Sequence, residues 1–155
     1  MTKRTISFLI VFVMLVTAAR VVAAQSDEVQ IKEVITTYVK MLNAGDADGV
    51  KELCMPDVVF MPHGSPAQVG NKAVHAFFRD TLFGQVTIDI SFDPVEVVVL
   101  DGWAFARVEA TGSDTFKDSG RSVKIDNKAL FIFRRADSGQ WKFARLMWNM
   151  NGSEQ

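Results

Sequence analysis

The sequence is short of the residues on which most reactions depend: one cysteine, two histidines and one tyrosine in 155 residues. The lone Cys54 cannot close a disulfide within the chain, so stability must rest on an ordinary hydrophobic core. Cys54 itself suits a small buried hydrophobe, with an intermolecular bridge or a reactive thiol as the alternative. His63 and His75 stand at no ligand spacing and make no metal motif. Also missing are a Ser/His/Asp grouping, a Cys/His pair, a glycine-rich phosphate loop and a dinucleotide fingerprint, so no cofactor is expected. There is no run of Lys or Arg, and the formal net charge is −1. Attraction to phosphate dominates nucleic-acid affinity, so a nucleic-acid partner is not expected either.

What is present at the start is an export signal. Lys3 and Arg4 precede a nearly unbroken apolar run over residues 6–16, and Val22-Ala23-Ala24 precedes the polar Gln25-Ser26-Asp27. This layout predicts a secretory signal peptide over residues 1–24, cut before Gln25, and one domain over residues 25–155. The apolar core falls short of the roughly 20 residues that cross a bilayer. An uncleaved anchor is the alternative. Cleavage removes Lys3, Arg4 and Arg20, which moves the net charge from −1 to −4. The mature protein is therefore expected in the periplasm or secreted, without membrane contact.

Beyond residue 27 the hydrophobic period is helical first and extended later. Ile31, Val34, Ile35, Tyr38, Val39 and Leu42 fall on one helix face. Gly45 closes that helix, Asp46 caps a short second one, and Asn71 caps a third carrying Val74, Phe77, Phe78 and Leu82 inward. Between them residues 58–61 form a strand, ended by Pro62-His63-Gly64-Ser65-Pro66. After Gly84 the pattern predicts strands over 86–92, 95–100, 103–111, 123–134 and 141–149, with turns at Asp101-Gly102 and Asp137-Ser138-Gly139. The expected class is α+β: a curved antiparallel sheet of five to six strands, with three helices from the N-terminal half packed on one face.

Alternation assigns the faces of the sheet. Ala104, Ala106, Val108 and Ala110 share one side of their strand, and Trp103, Phe105, Arg107, Glu109 and Thr111 share the other. The small side faces the helices and leaves room there. Aromatics among charges on the outer side suit a self-complementary contact, which predicts a homodimer through the outer sheet face.

Three stretches carry a family resemblance. Leu42-Asn43-Ala44-Gly45-Asp46, then Pro56-Asp57-Val58-Val59-Phe60, then Val69-Gly70-Asn71-Lys72-Ala73-Val74, with the ending over residues 139–149, resemble the nuclear-transport-factor-2-like superfamily and its SnoaL-like and ketosteroid-isomerase-like members. The resemblance implies a cone around a pocket, dimeric through the sheet. It implies no single function, because the fold hosts isomerases, cyclases, dehydratases, binding modules and assembly domains. Ketosteroid isomerases use an Asp base with a Tyr and a protonated Asp as oxyanion donors. Tyr38 matches that Tyr, but the base position falls on Met61 or Pro62 and the second donor on Ala129, none of which carries a proton. Steroid-type isomerisation is therefore not expected.

The remaining candidates surround the pocket. Asn127 shares one strand face with Ile125, Ala129, Phe131 and Phe133, which the resemblance makes the inward one, and there its amide must find either a protein partner or a ligand. Tyr38 has the same two options. Trp148 is assigned to the pocket wall by resemblance. His63 can serve as an acid or base at the pocket mouth, or be a solvated loop residue. Two functions remain open: a site for a small, largely apolar ligand, catalytic (Tyr38, His63) or binding only (Tyr38, Met61, Asn127, Ala129, Trp148), and an interaction or assembly module of the cell envelope.

Overall fold

The computed structural model describes residues 27–152, so the expected signal segment lies outside the described residues. Helix α1 occupies residues 27–44 and buries Ile31, Ile35, Tyr38 and Leu42, the face its period predicts. It stops at Gly45, whose φ of +67° suits glycine. The Gly45 N–H donates to Leu42 O (3.1 Å) and the Asp46 N–H to Met41 O (2.9 Å), two hydrogen bonds that satisfy carbonyls of the last turn. Asp46 then caps α2 (Ala47–Glu52), its Oδ1 accepting the Gly49 N–H at 2.8 Å.

Strand β1 (Cys54–Met61) leads to the short β2 (Gln68–Val69) and to α3 (Asn71–Ala76). Asn71 does not cap α3 as its residue type predicts. Gly70 holds that position at φ +84°, a conformation that favours glycine, and Asn71 is already helical. Helix α3 continues as a π-helical segment, Phe77–Leu82, and a final turn, α4 (Phe83–Gln85). The wider turn sets Phe77 and Phe78 together against Phe60, with ring centroids 5.4 and 5.2 Å away.

A meander of β3 (Val86–Val99), β4 (Trp103–Phe116), β5 (Ser122–Arg135) and β6 (Trp141–Met150) completes the chain. The six strands lie in the order β2-β1-β6-β5-β4-β3. The sheet is mixed rather than wholly antiparallel, because β1 pairs with β6 in parallel. The meander fixes the direction of β6 before it reaches the open edge of β1, and alternation within a strand carries no information about so distant a partner. The break expected after residue 92 is instead a bulge between Pro94 and Glu96 in one continuous β3. Proline is tolerated there because β3 is an edge strand.

The predicted inner face holds: Ala104, Ala106, Val108 and Ala110 are all buried. Against it stands an aromatic cluster in which Phe143 lies 5.0 Å from Tyr38, 5.3 Å from Phe131 and 4.8 Å from Phe133. On the outer face Trp103, Leu130 and Val95 remain exposed. Arg107 bridges across strands to Glu96 at 3.6 Å, and Arg134 grips Asp57 with two hydrogen bonds of 2.7 and 3.1 Å. That grip holds the Asp57 carboxyl below its ordinary range. Among the described residues no helix is long and apolar enough to cross a membrane.

Candidate functional site

The alanines of β4 and β5 leave space under the helices. Ala110 lies opposite Asn127, and Val108 opposite Ala129. Above them is a cavity of about 90 Å³, walled by Tyr38 and Leu42 of α1, Phe78 and Leu82 of the third helix, Ile88, Ile90 and Phe92 of β3, Phe131 of β5 and Trp148 of β6. That volume is well above the roughly 10–15 Å³ a single water requires, so the space is more than a packing defect. A second, wider hollow of about 760 Å³ shares Asp114, Ile125, Asn127 and Trp148 with the cavity and opens past Arg121, Lys124 and Asn151.

Three polar side chains break the apolar lining. Asn127 Oδ1 is buried and has no hydrogen-bond partner among the described residues. A buried acceptor in that condition costs about 1–3 kcal/mol, which a fold retains only where something else needs the group. Tyr38 is only 4 % exposed, and burial drives its phenol well above the ordinary range. The hydroxyl therefore stays protonated and can donate, but cannot act as a base near neutral pH. Asp114 lies on the inner face of β4 opposite Val123, partly buried, and desolvation raises its carboxyl above the usual value.

Four of the residues singled out in the sequence, Tyr38, Asn127, Ala129 and Trp148, meet around this one cavity. Met61 does not line it. It follows the buried Phe60 at the end of β1 and pairs with Met147, so alternation turns it to the opposite face. His63 sits exposed in the turn after β1, its ring centroid 6.1 Å from that of Trp148 and outside the cavity wall. His75 places Nε2 3.0 Å from Asp48 Oδ1 on the helical surface, away from the cavity. Burial pushes the Cys54 thiol up to about 12, so it is inert at neutral pH. Among the described residues no cluster of three His, Cys, Asp or Glu side chains is placed to hold a metal.

Asp114 was the group that sequence reasoning missed. Its signal was present, since Ala110, Gly112 and Asp114 continue the inward alternation, but Gly112 looked like the end of the strand. Gly112 is instead a point of close approach: at φ +148°, an added Cβ would stand 2.1 Å from Asp89 O. Only glycine lets β4 pass β3 there and carry Asp114 onto the cavity side.

A family model described as a SnoaL-like domain matches residues 35–144, from the middle of α1 to the start of β6. The chain belongs to the SnoaL-like family. Among solved structures, this SnoaL-like domain is similar to a ketosteroid isomerase-like protein from Erwinia carotovora atroseptica, with 27% identity, a TM-score of 0.77, and coverage of 81% of this chain and 97% of that one. A nuclear transport factor 2-like superfamily protein from Salmonella enterica shares the fold at 14% identity and TM-score 0.75, covering 84% and 95% of the two chains. So does a type 2 hexachlorocyclohexane dehydrochlorinase at 12% identity and TM-score 0.75, covering 83% and 87%. A search of curated protein sequences finds no match.

Proposed function

We propose that this SnoaL-like domain is an exported protein that binds a small, largely apolar molecule in its cone cavity and works as a homodimer joined through the outer sheet face. The observation that carries the binding reading is the unpartnered Asn127 Oδ1 inside an otherwise apolar cavity. A few convergent polar groups in an apolar hollow are the ordinary make-up of a small-molecule site. Export rests on the sequence of residues 1–24, with the periplasm or the exterior as destination. The dimer is supported by Trp103, Val95 and Leu130, exposed on the outer face beside the Arg107–Glu96 pair.

Chemistry at the site would fall to few groups. Tyr38 can donate a hydrogen bond, Asp114 can accept a proton, and His63 is the candidate proton carrier at the rim beside Trp148. No carboxylate stands where a ketosteroid isomerase places its pair, since Met61, Pro62 and Ala129 occupy those positions. The second reading, a dimeric interaction or assembly module of the cell envelope, draws on the same exposed outer face.

Native mass spectrometry of the protein purified from an exporting cell tests these together. A retained small molecule on a dimer supports the proposal. A ligand-free complex with a different protein favours the module, and a monomer overturns the sheet interface. His63→Gln with turnover unchanged removes His63 from any catalytic role.

A further inference from the structure

Two of the three polar groups of the cavity are acceptors, and only the Tyr38 hydroxyl donates. Asn127 Oδ1 accepts and has no donor. Asp114 accepts too, and among the described residues nothing donates to its carboxylate and no cation pairs with it. Two charged neighbours in the wider hollow make contacts of their own: Asp126 Oδ1 accepts the Asn151 Nδ2–H at 2.7 Å, and the Arg121 guanidinium stacks 4.8 Å above the Phe116 ring. Asp114 lines both hollows, as Ile125, Asn127 and Trp148 do. It lies four residues along β4 from Ala110, the partner of Asn127, so the two acceptors are about 13 Å apart before curvature shortens the span. Between them run the apolar walls, with the aromatic rings of Phe92, Phe131 and Trp148.

An unpaired, partly desolvated carboxylate on the wall shared by an apolar chamber and a wider hollow is stabilised by a cation carried on an apolar body. Aromatic faces nearby add to that preference. We propose that the occupant is a small amine, its hydrocarbon part inside the cavity and its protonated nitrogen at Asp114. This rests on the cavity-binding reading above and goes beyond it in naming the charge of the ligand. Arg121 and Lys124 set the opposing case, because in the wider hollow they would draw a carboxylate instead.

A matched series decides between them. Cyclohexylmethylamine, cyclohexylmethanol and cyclohexanecarboxylate share one carbocycle and differ in the polar group, and calorimetry at neutral pH ranks them on the purified chain. The amine is expected to bind roughly tenfold or more tighter than the alcohol, as one charge-assisted hydrogen bond provides, with the carboxylate weakest. In Asp114→Asn the ratio of amine to alcohol affinity falls to about one. An alcohol that binds as well as the amine, a carboxylate that binds best, or a preference that survives Asp114→Asn overturns the amine assignment and leaves the cavity reading intact. If none of the three binds, both fall.

Discussion

Replacing Asn127 by leucine is expected to stabilise this protein while removing the polar anchor of its cavity. Leucine has nearly the shape of asparagine and leaves no acceptor behind. The substitution therefore relieves the cost of the unpartnered Oδ1, about 1–3 kcal/mol. A water held in the cavity by Oδ1 would offset part of that gain and bring the change to the lower end. For a domain of this size the melting temperature rises by about 3–10 °C. Urea unfolding followed by tryptophan fluorescence measures the change, with the denaturant slope unaltered because the exposed surface is unaltered. Ligand retention falls in the same variant, the usual exchange of function for stability at a binding site. A loss of 1 kcal/mol or more would refute the reasoning, because it would make Asn127 a structural residue with protein partners.

Four further outcomes follow from the geometry. Asn43 exchanges two hydrogen bonds with Ile90, its Nδ2 donating to Ile90 O at 2.9 Å and its Oδ1 accepting the Ile90 N–H at 3.0 Å; Asn43→Ala should cost about 1–2 kcal/mol and speed hydrogen exchange at the Ile90 amide. Phe143→Ala empties the fully buried centre of the aromatic cluster and should cost about 3–5 kcal/mol in urea unfolding. Burial raises the Asp114 carboxyl, so its ionised form weakens the fold as pH rises through the folded-state value, and the penalty is absent below the ordinary carboxylate range. Asp114→Asn should therefore stabilise at neutral pH and do nothing near pH 3; an equal gain at both would point to another cause. Cys54, buried with a thiol pushed up to about 12, should react with a thiol reagent at pH 8 only as fast as the chain unfolds.

The motif over residues 42–46 shows how local signals carried across to the structure. Gly45 and Asp46 end one helix and begin the next through bonds confined to a few neighbouring residues, so sequence alone predicts them. Asn43 in the same motif acts at long range: it supplies the edge strand β3 with the donor and acceptor that a further strand would have given. Nothing in its local sequence announces that partner.

The same division runs through the whole chain. Period and turn chemistry determined three helices, a strand-rich second half and the alanine face of β4, because helix and strand repeats expose burial directly in the order of residues. The inward places of Tyr38, Asn127, Ala129 and Trp148 followed from that alternation and from the family resemblance. Only the tertiary structure decided the parallel pairing of β1 with β6, the place of Asp114 on the cavity wall, and the exclusion of Met61 and His63 from it. Those outcomes depend on which distant strands meet and on how closely two backbones pass at Gly112, and neither is written in the periodicity of a single strand.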